Sequence, residues 1–439
     1  MLKSNSPGNY RWTICALVFF ATTINYLDRQ VLSLLKPYLE VNGLFGSDPT
    51  KYESVYANIV IAFQLAFALG MVAVGGVIDK IGLKIGYALS LVAWSLAAMA
   101  HALARGPSGF GVARAALGLP EAGNFPAGVK TIAEWFPPKE RAFATGIFIS
   151  GTNIGAILAP ILVPVIAVNM GWQWAFILTG AVGIVWLVFW FLIYDSPEVK
   201  LVKGKLSAPE YDHIVSGKEE VDYGQAPKWL KLLTYKQTWA FAIGKFLTDP
   251  VWWFFAFWLP AFLKEQYSLT GTAVSMPLAV VYTMTTISSI AGGWFPKYLI
   301  EKGMDVSRAR KRSMFIYALI PLTVLFAQWA GEYNMWYAVF IIGIAASAHQ
   351  AWSANIFTTV SDMFPKRAVA SVTGIGGMAG GIGGILIAKS AGLLFDYYKA
   401  LGDIRVGYGI MFMICASMYM VAWLLMHLLV PKFKTVEVE

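Results

Sequence analysis

PheProProLysGluArgAlaPheAlaThrGlyIle at residues 136–147 returns, little changed, as PheProLysArgAlaValAlaSerValThrGlyIle at 364–375. GlyGlyValIleAspLys at 75–80 is echoed in the same way by GlyGlyTrpPheProLys at 292–297. Both pairs lie about half a chain apart, so the sequence reads as an internal duplication. Each copy is a short connection between long apolar runs, and the number of those runs decides the architecture.

The chain has 439 residues, of which 57% are hydrophobic and 13% charged. Soluble domains average about 25% charged residues, so the composition points to a membrane protein. The 17 Trp, 28 Phe and 41 Gly suit helices with aromatic belts and close glycine contacts. At ~20 apolar residues per span, this length accommodates about twelve helices. They are predicted at roughly 12–35, 56–78, 85–104, 109–133, 143–167 and 173–194, then 238–263, 272–300, 313–330, 335–361, 368–394 and 406–430. The expected fold is all-α, with twelve transmembrane helices in two pseudo-symmetric six-helix bundles. Residues 1–194 form the first bundle, 195–236 a polar linker and 237–439 the second. Within the linker, 206–214 suits a short interfacial helix capped by Ser207.

The net charge of +9 comes from basic residues on alternate loops, so it is no nucleic-acid signal. Lys80, Lys84, Lys139, Arg141, Lys297, Lys302, Arg308, Arg310, Lys311, Arg312, Lys366 and Arg367 share one side with the termini and linker. The opposite loops are poorer in Lys and Arg and include Glu53, Glu332, Asp396 and Asp403. Both ends are therefore expected to be cytoplasmic. Cys15 and Cys415 fall inside apolar runs and read as small core residues. The first run lacks a cleavage site and reads as a retained span.

Charged and polar residues at membrane depth are the candidates for function, because a charge there costs at least ~2.5–3.5 kcal/mol on insertion scales. ThrIleAsnTyrLeuAspArgGln, 23–30, places Asp28 and Arg29 in the first span. In span four, Arg114 and Glu121 are seven residues apart and share a helix face, with Pro120 and Pro126 loosening the backbone. Glu121 is a protonation candidate beside Asp28, and a purely structural Arg114–acid pair is the alternative. Span seven carries Lys245 and Asp249, an i,i+4 pair that could satisfy each other or leave Lys245 for a carboxylate. Trp252, Trp253 and Trp258 are aromatics of the kind that stack on sugars. Span ten, AlaHisGlnAlaTrpSerAlaAsn at 348–355, brings His349, Gln350, Trp352, Ser353 and Asn355 into one apolar helix. The glycines of span eleven, from Gly374 to Gly384, mark a close-packing or bending helix. Three cations at membrane depth point to an anionic ligand. No Walker loop, zinc spacing or hydrolase elbow is present, so no enzyme activity, metal or cofactor is expected.

The turn Gly75…Asp79-Lys80…Gly82…Lys84 resembles the loop two–three signature of the major facilitator superfamily, whose expected role is to hold one gate closed by pairing across the seam between halves. A duplicated helical frame with a site at the repeat interface suits a secondary transporter. Within that superfamily the chain resembles the anion:cation symporters, and most specifically bacterial hexuronate transporters, which carry glucuronate and galacturonate. The resemblance rests on TyrLeuAspArg at 26–29, Arg114…Glu121-Ala…Pro126-Ala, GluTrpPheProProLysGluArg at 134–141, SerGlyThrAsnIleGlyAla at 150–156, LysPheLeuThrAspProValTrp at 245–252 and AlaHisGlnAlaTrpSer at 348–353. It implies that Arg29 holds the substrate carboxylate with Tyr26 nearby, and that Asp28 and Glu121 carry the coupled protons. Arg114 would tune Glu121, while Thr152 and Asn153 address hydroxyls. Related aldonate carriers tend to have Gln at the position of Thr152, which favours a uronate.

Two positions depart from the pattern: Phe67 replaces an expected Tyr, and Lys245 stands where some relatives have Arg. The expectation is proton-coupled uptake by alternating access in the bacterial inner membrane. The partners are a small organic anion, protons and the bilayer, with no nucleic acid and a monomeric chain. The same fold moving another organic anion, such as an aldonate, is the nearest alternative. A multidrug antiporter lacks support, because span five has no G-x-x-x-G-P-x-x-G-G. A sensor that binds without transport is a third class.

Overall fold

The structure, a computed structural model, describes residues 8–216, 229–364, 366–434 and 436. Within helices, the side chains of Val72, Asp79, Pro138, Lys139, Arg141, Ala142, Phe143, Trp229, Ile290, Ser361, Lys366, Arg367 and Ala370, and the surroundings of Gly75 and Gly76, lie outside the description. The described residues are helical, with no strand. The first half contains α1 (Tyr10–Val41), α2 (Tyr52–Ile81), α3 (Leu83–Ala100), α4 (Pro107–Glu121), α5 (Asn124–Trp135), α6 (Pro138–Met170) and α7 (Trp172–Ile193). Three short helices follow: α8 (Pro197–Val202), α9 (Ala208–Val215) and α10 (Trp229–Leu232). The second half contains α11 (Lys236–Tyr267), α12 (Ser275–Glu301), α13 (Val306–Leu319), α14 (Ala327–Tyr333), α15 (Met335–Met363), α16 (Lys366–Ala400) and α17 (Ile404–Leu429).

Twelve spans result, because α4 with α5 make one and α13 with α14 make another. Pro120 and Pro126 explain the first break. Neither can donate a backbone hydrogen bond, and the helix stops at Glu121 and restarts at Asn124. The second break is a 3-10 stretch, Ile320–Phe326, containing Pro321. Among the described residues, nine segments are long and apolar enough to cross a bilayer on those grounds alone. The other three spans, α1, α4–α5 and α15, carry Asp28, Arg29, Arg114, Glu121 and the polar run from His349 to Asn355. The linker helix forms as expected: Ser207 Oγ accepts from the Glu210 amide and opens α9.

The duplication is visible in the packing. In the first half α1 lies on α6, α2 on α4 and α3 on α7. In the second, α11 lies on α16, α12 on α15, and α17 on the α13–α14 span. The halves meet where α2 packs on α16, α6 on α12 and α1 on α11. One hydrophobic core fills the first half around Trp94, Trp135 and Trp190. The other runs through the second half and continues into Val31, Leu35, Tyr56 and Val60 of the first.

The halves are therefore fused at one end only, the end of the α1–α2 loop, and charges lock it. Lys36 Nζ, buried in the seam, lies 2.5 Å from Glu53 Oε1 and 3.3 Å from Glu40 Oε1. Lys264 of the second half reaches Glu40 at 2.5 Å, and Lys399 reaches Glu53 at 3.8 Å and Glu265 at 3.5 Å. Asp396 accepts from the Glu53 and Ser54 amides at 2.9 Å, capping the start of α2 from across the seam. At the opposite end, no ion pair among the described residues joins the halves. Arg11 binds Glu140 and Glu210, Lys84 binds Asp195, and Arg310 binds Asp362. The seam pairing expected of Lys84 is thus not the one made here. Its end of the molecule is the open one, and its partner Asp195 closes α7 of the same half. Burial pushes the Asp195 carboxyl up, but hydrogen bonds from Lys84 and Lys203 outweigh it and hold the group down at about 2.

Opening the locked end should follow removal of its central anion. With spin labels at Asn42→Cys and Thr270→Cys, in a chain freed of Cys15 and Cys415, Glu53→Gln should lengthen and broaden the inter-label distances. An unchanged distribution in pulsed electron paramagnetic resonance would show that the lock does not hold this end.

Candidate functional site

Asp28 and Arg29 lie at mid-height on α1, where α2, α4 and α11 converge. Arg29 Nε and Nη2 both donate to Glu121 Oε2, at 3.1 and 2.9 Å, and Nη2 lies 3.4 Å from Asn25 Oδ1. Glu121 is fully buried at the end of α4, so the proline break in span four delivers this carboxylate to the guanidinium. Aromatic rings surround the cation: Tyr26 and Phe67 at 4.7 Å, Phe63 at 5.1 Å and Trp253 at 5.4 Å from Cζ. Such contacts contribute about 0.5–2 kcal/mol each. Trp253 belongs to α11, so both halves build the cage.

Arg114 lies one turn-pair earlier on α4 and does not bind an acid directly. Its Nη2 donates to the Arg29 carbonyl at 3.3 Å, while Nε and Nη1 are buried without hydrogen-bond partners among the described residues. Both Asp28 oxygens are likewise buried, and Thr179 of α7 is the hydrogen-bonding side chain beside them. Of the two acids expected to carry protons, Glu121 binds an arginine in this state. An ionised carboxylate without partners is costly in such a place, and a neutral carboxylic acid is far less so.

Glycine positions α1. A Cβ at Gly155 of α6 would stand 2.4 Å from the Thr23 carbonyl oxygen and 2.9 Å from Tyr26 Cβ. Only glycine lets α6 approach that closely, which also brings Thr152 and Asn153 to the same level as Tyr26. Both are buried and make no hydrogen bond among the described residues.

The second half contributes a separate cluster. Lys245 binds Asp249 at 2.7 Å and lies over Phe357 at 4.3 Å, so the i,i+4 pair is made. His349 Nδ1 and the Tyr419 hydroxyl are 2.7 Å apart. The His349 ring stacks on Trp252 at 5.3 Å. Trp352 is buried against Tyr419, and Gln350 and Ser353 are half-buried on the same helix. The adjacent Trp252 and Trp253 of α11 thus touch the two clusters, one each. Trp258 does not join them: it is a core residue packed on Tyr56 and Phe395. Asn355 bonds the Gly292 carbonyl at 2.8 Å and joins α15 to α12.

Of the gate motif, Gly82 separates α2 from α3 with φ +86°, a conformation that favours glycine, and Lys80 is exposed. The surroundings of Gly75 and the side chain of Asp79 lie outside the description. Sequence reasoning passed over Gln30, whose Nε2 lies 3.2 Å from the Tyr282 hydroxyl of the other half, and the locked-end charges around Lys36. The i,i+4 spacing of Lys36 and Glu40 was the available signal.

The Major Facilitator Superfamily model matches residues 18–388. A hexuronate transporter of Escherichia coli (strain K12) is 32% identical over 390 residues, 88% of each chain. A galacturonate transporter of Dickeya chrysanthemi is 33% identical over 310 residues, 70% of this chain and 87% of that one. Among solved structures, an inward-facing bacterial homologue of the human lysosomal transporter Spinster superposes with a TM-score of 0.75 at 16% identity, covering 98% of both chains.

The close approach of α6 to α1 can be tested alone. Gly155→Val should cost about 1–3 kcal/mol of stability by overpacking, read as a lower melting temperature in detergent. Gly146→Val, at a position with open space on the same helix, should leave it nearly unchanged.

Proposed function

We propose that this chain, which belongs to the Major Facilitator Superfamily, takes up a hexuronate such as glucuronate or galacturonate together with protons, by alternating access of its two halves. The observation that carries the reading is the caged Arg29 with Glu121 on its fork, and the buried Asp28 next in the chain without an ion pair among the described residues. A planar guanidinium with two donors on one edge suits a carboxylate, and here Glu121 holds the place that a substrate carboxylate would take. Aromatic faces from Tyr26 and Trp253 flank it, as a sugar ring requires.

Charge balance supplies the coupling. Arg29 and Arg114 bring two positive charges, and Asp28 and Glu121 bring at most two negative ones. When protons neutralise the acids, Glu121 releases Arg29 and the pocket is left positive, ready for an anion. When the protons leave, Glu121 recaptures Arg29 and displaces the ligand. Symport follows because the proton and the carboxylate each make room for the other. Arg114, anchored on the Arg29 carbonyl, raises the positive field felt by both acids without competing for the substrate. Thr152 and Asn153 on one side, and Lys245, His349, Gln350, Trp352 and Ser353 on the other, are the proposed contacts for the rest of the ligand.

The excess of Lys and Arg at the end carrying the termini makes that end cytoplasmic. The locked end is then periplasmic, and the conformation is the inward-facing one with Glu121 back on Arg29. Residues 1–194 and 237–439 act as the two moving bodies and 195–236 as their cytoplasmic tether. Gly75, Asp79, Lys80, Gly82 and Lys84 close the inner end in the opposite state, when Lys84 leaves Asp195. The relatives at about a third identity are named as transporters of hexuronate and galacturonate, which supports this substrate class and a carrier in place of an enzyme.

Uptake of labelled glucuronate and galacturonate into proteoliposomes, acidic outside, tests the reading. Wild type should accumulate a hexuronate and lose accumulation when the gradient is collapsed. Asp28→Asn should abolish proton-driven accumulation while retaining some exchange, and wild-type accumulation in that variant would sink the coupling scheme. Arg29→Lys, which loses the fork, should raise KM at least tenfold. Stronger competition by aldonates or aromatic acids would reassign the substrate, and binding without uptake would indicate a sensor.

A further inference from the structure

We propose that Gln64, on the seam between α2 and α16, is a specificity-determining residue that reads a hydroxyl of the bound sugar acid. This deepens the hexuronate reading and rests on it. Gln64 is 4% exposed, and neither Nε2 nor Oε1 has a hydrogen-bond partner among the described residues. A primary amide offers two donors and a two-lone-pair acceptor. Leaving either end unmet in an interior forfeits the hydration it had in water, so an unpaired glutamine at this depth calls for a partner.

Its surroundings say where that partner lies. Phe63 and Phe67, on the same helix, lie against Arg29, and Gln64 is one residue further around, toward α16. There it faces Gly384. A Cβ at Gly384 would be 3.0 Å from Gln64 Nε2 and 3.0 Å from Cδ1 of Trp253. The amide and the indole therefore border the same spot, kept clear by a glycine, and the indole lies over Arg29. The neighbouring seam contact is apolar, Ala68 against Gly381, so it offers Gln64 nothing.

Guanidinium, indole and amide thus form a continuous row from α1 through α11 to α2. A uronate fits it in one orientation, with carboxylate on Arg29, ring on Trp253 and hydroxyls at Gln64. A simple monocarboxylate would satisfy Arg29 and leave the amide orphaned, and an apolar acid would do the same. Gln64 hence selects polyhydroxylated acids over other anions, a task that Arg29 alone cannot perform. A site with a buried polar group rejects ligands that fail to pair it more strongly than an apolar pocket rejects small changes in size.

The test is proteoliposome uptake by wild type, Gln64→Leu and Gly384→Ala, against glucuronate and its set of monodeoxy analogues. Wild type should discriminate against at least one deoxy analogue by about tenfold or more in kcat/KM. Gln64→Leu should raise KM for glucuronate by a similar factor with little change in kcat, and lose that one discrimination. Gly384→Ala, whose methyl falls against the amide and the indole, should act in the same hydroxyl-selective way, and it serves if Gln64→Leu does not fold. Full hydroxyl discrimination in a folded Gln64→Leu, or a Gly384→Ala that weakens all analogues equally, would overturn the assignment while the hexuronate reading stands. Wild type that takes up no hexuronate would overturn both together.

Discussion

A guanidinium buried among membrane helices must keep an anion beside it, and much of the first half is arranged around that condition at Arg29. Removing one partner of a buried ion pair costs about 3–5 kcal/mol, so Glu121 can leave only if another negative group arrives or the acid is neutral when it goes. The local structure suits the exchange proposed above. Span four breaks directly after Glu121, and its carboxylate therefore sits at a helix end where small backbone adjustments can retract it. Asn25 offers its amide oxygen to Arg29 and its Nδ2 to the Glu121 carbonyl at 3.5 Å, steadying both sides of the pair. On the proposed reading, the requirement that Arg29 never be left alone is what ties the proton to the ligand.

The same condition operates at the locked end in a different form. Lys36, Lys264 and Lys399 meet Glu40, Glu53 and Glu265, so the joined seam is balanced, while Asp396 is matched by the start of α2. Each lysine of the second half binds a glutamate of the first, and separation exposes every member to water at once. That favours an all-or-none opening. α16 makes the seam close enough to matter: its Gly384 and Gly392 face α2, while Gly380 and Gly383 face α11. A helix with glycine on two faces can pack tightly on its own bundle and still form one wall of the moving interface.

The spans and the repeat were legible in the chain because bilayer burial imposes a long apolar period that local sequence cannot hide. The break at Pro120–Pro126 and the Ser207 cap were legible for the same reason, being local. Asp28, Arg29, Arg114 and Glu121 stood out as charges in apolar runs. What stayed hidden depended on partners distant in sequence. Glu53 looked like a loop residue, and the i,i+4 spacing of Lys36 and Glu40 hints at a pair without announcing that the two halves bury it between them. Gln64, in an apolar stretch, drew no notice until its lack of a partner could be seen. Trp258 misled in the other direction. Its composition suited a sugar platform, but its place on α11 faces the core, whereas Trp252 and Trp253, one turn earlier, reach the polar clusters.

The repeat is symmetric in its backbone and asymmetric in its chemistry. α1 and α11 occupy equivalent places, yet α1 presents Arg29 bound to an acid from another helix, and α11 presents Lys245 bound to Asp249 on its own helix. A pair within one helix moves as a unit and needs no rearrangement when the bundles rock. A pair between helices, such as Arg29 with Glu121, can be opened by a shift of either one. On the proposed reading, the first half changes its charge pairing and the second keeps its own. Trp253 crosses from the constant half to lie on the changing one. A ligand held between that indole and Arg29 would touch both bodies at once, so its binding would bear directly on how they sit against each other.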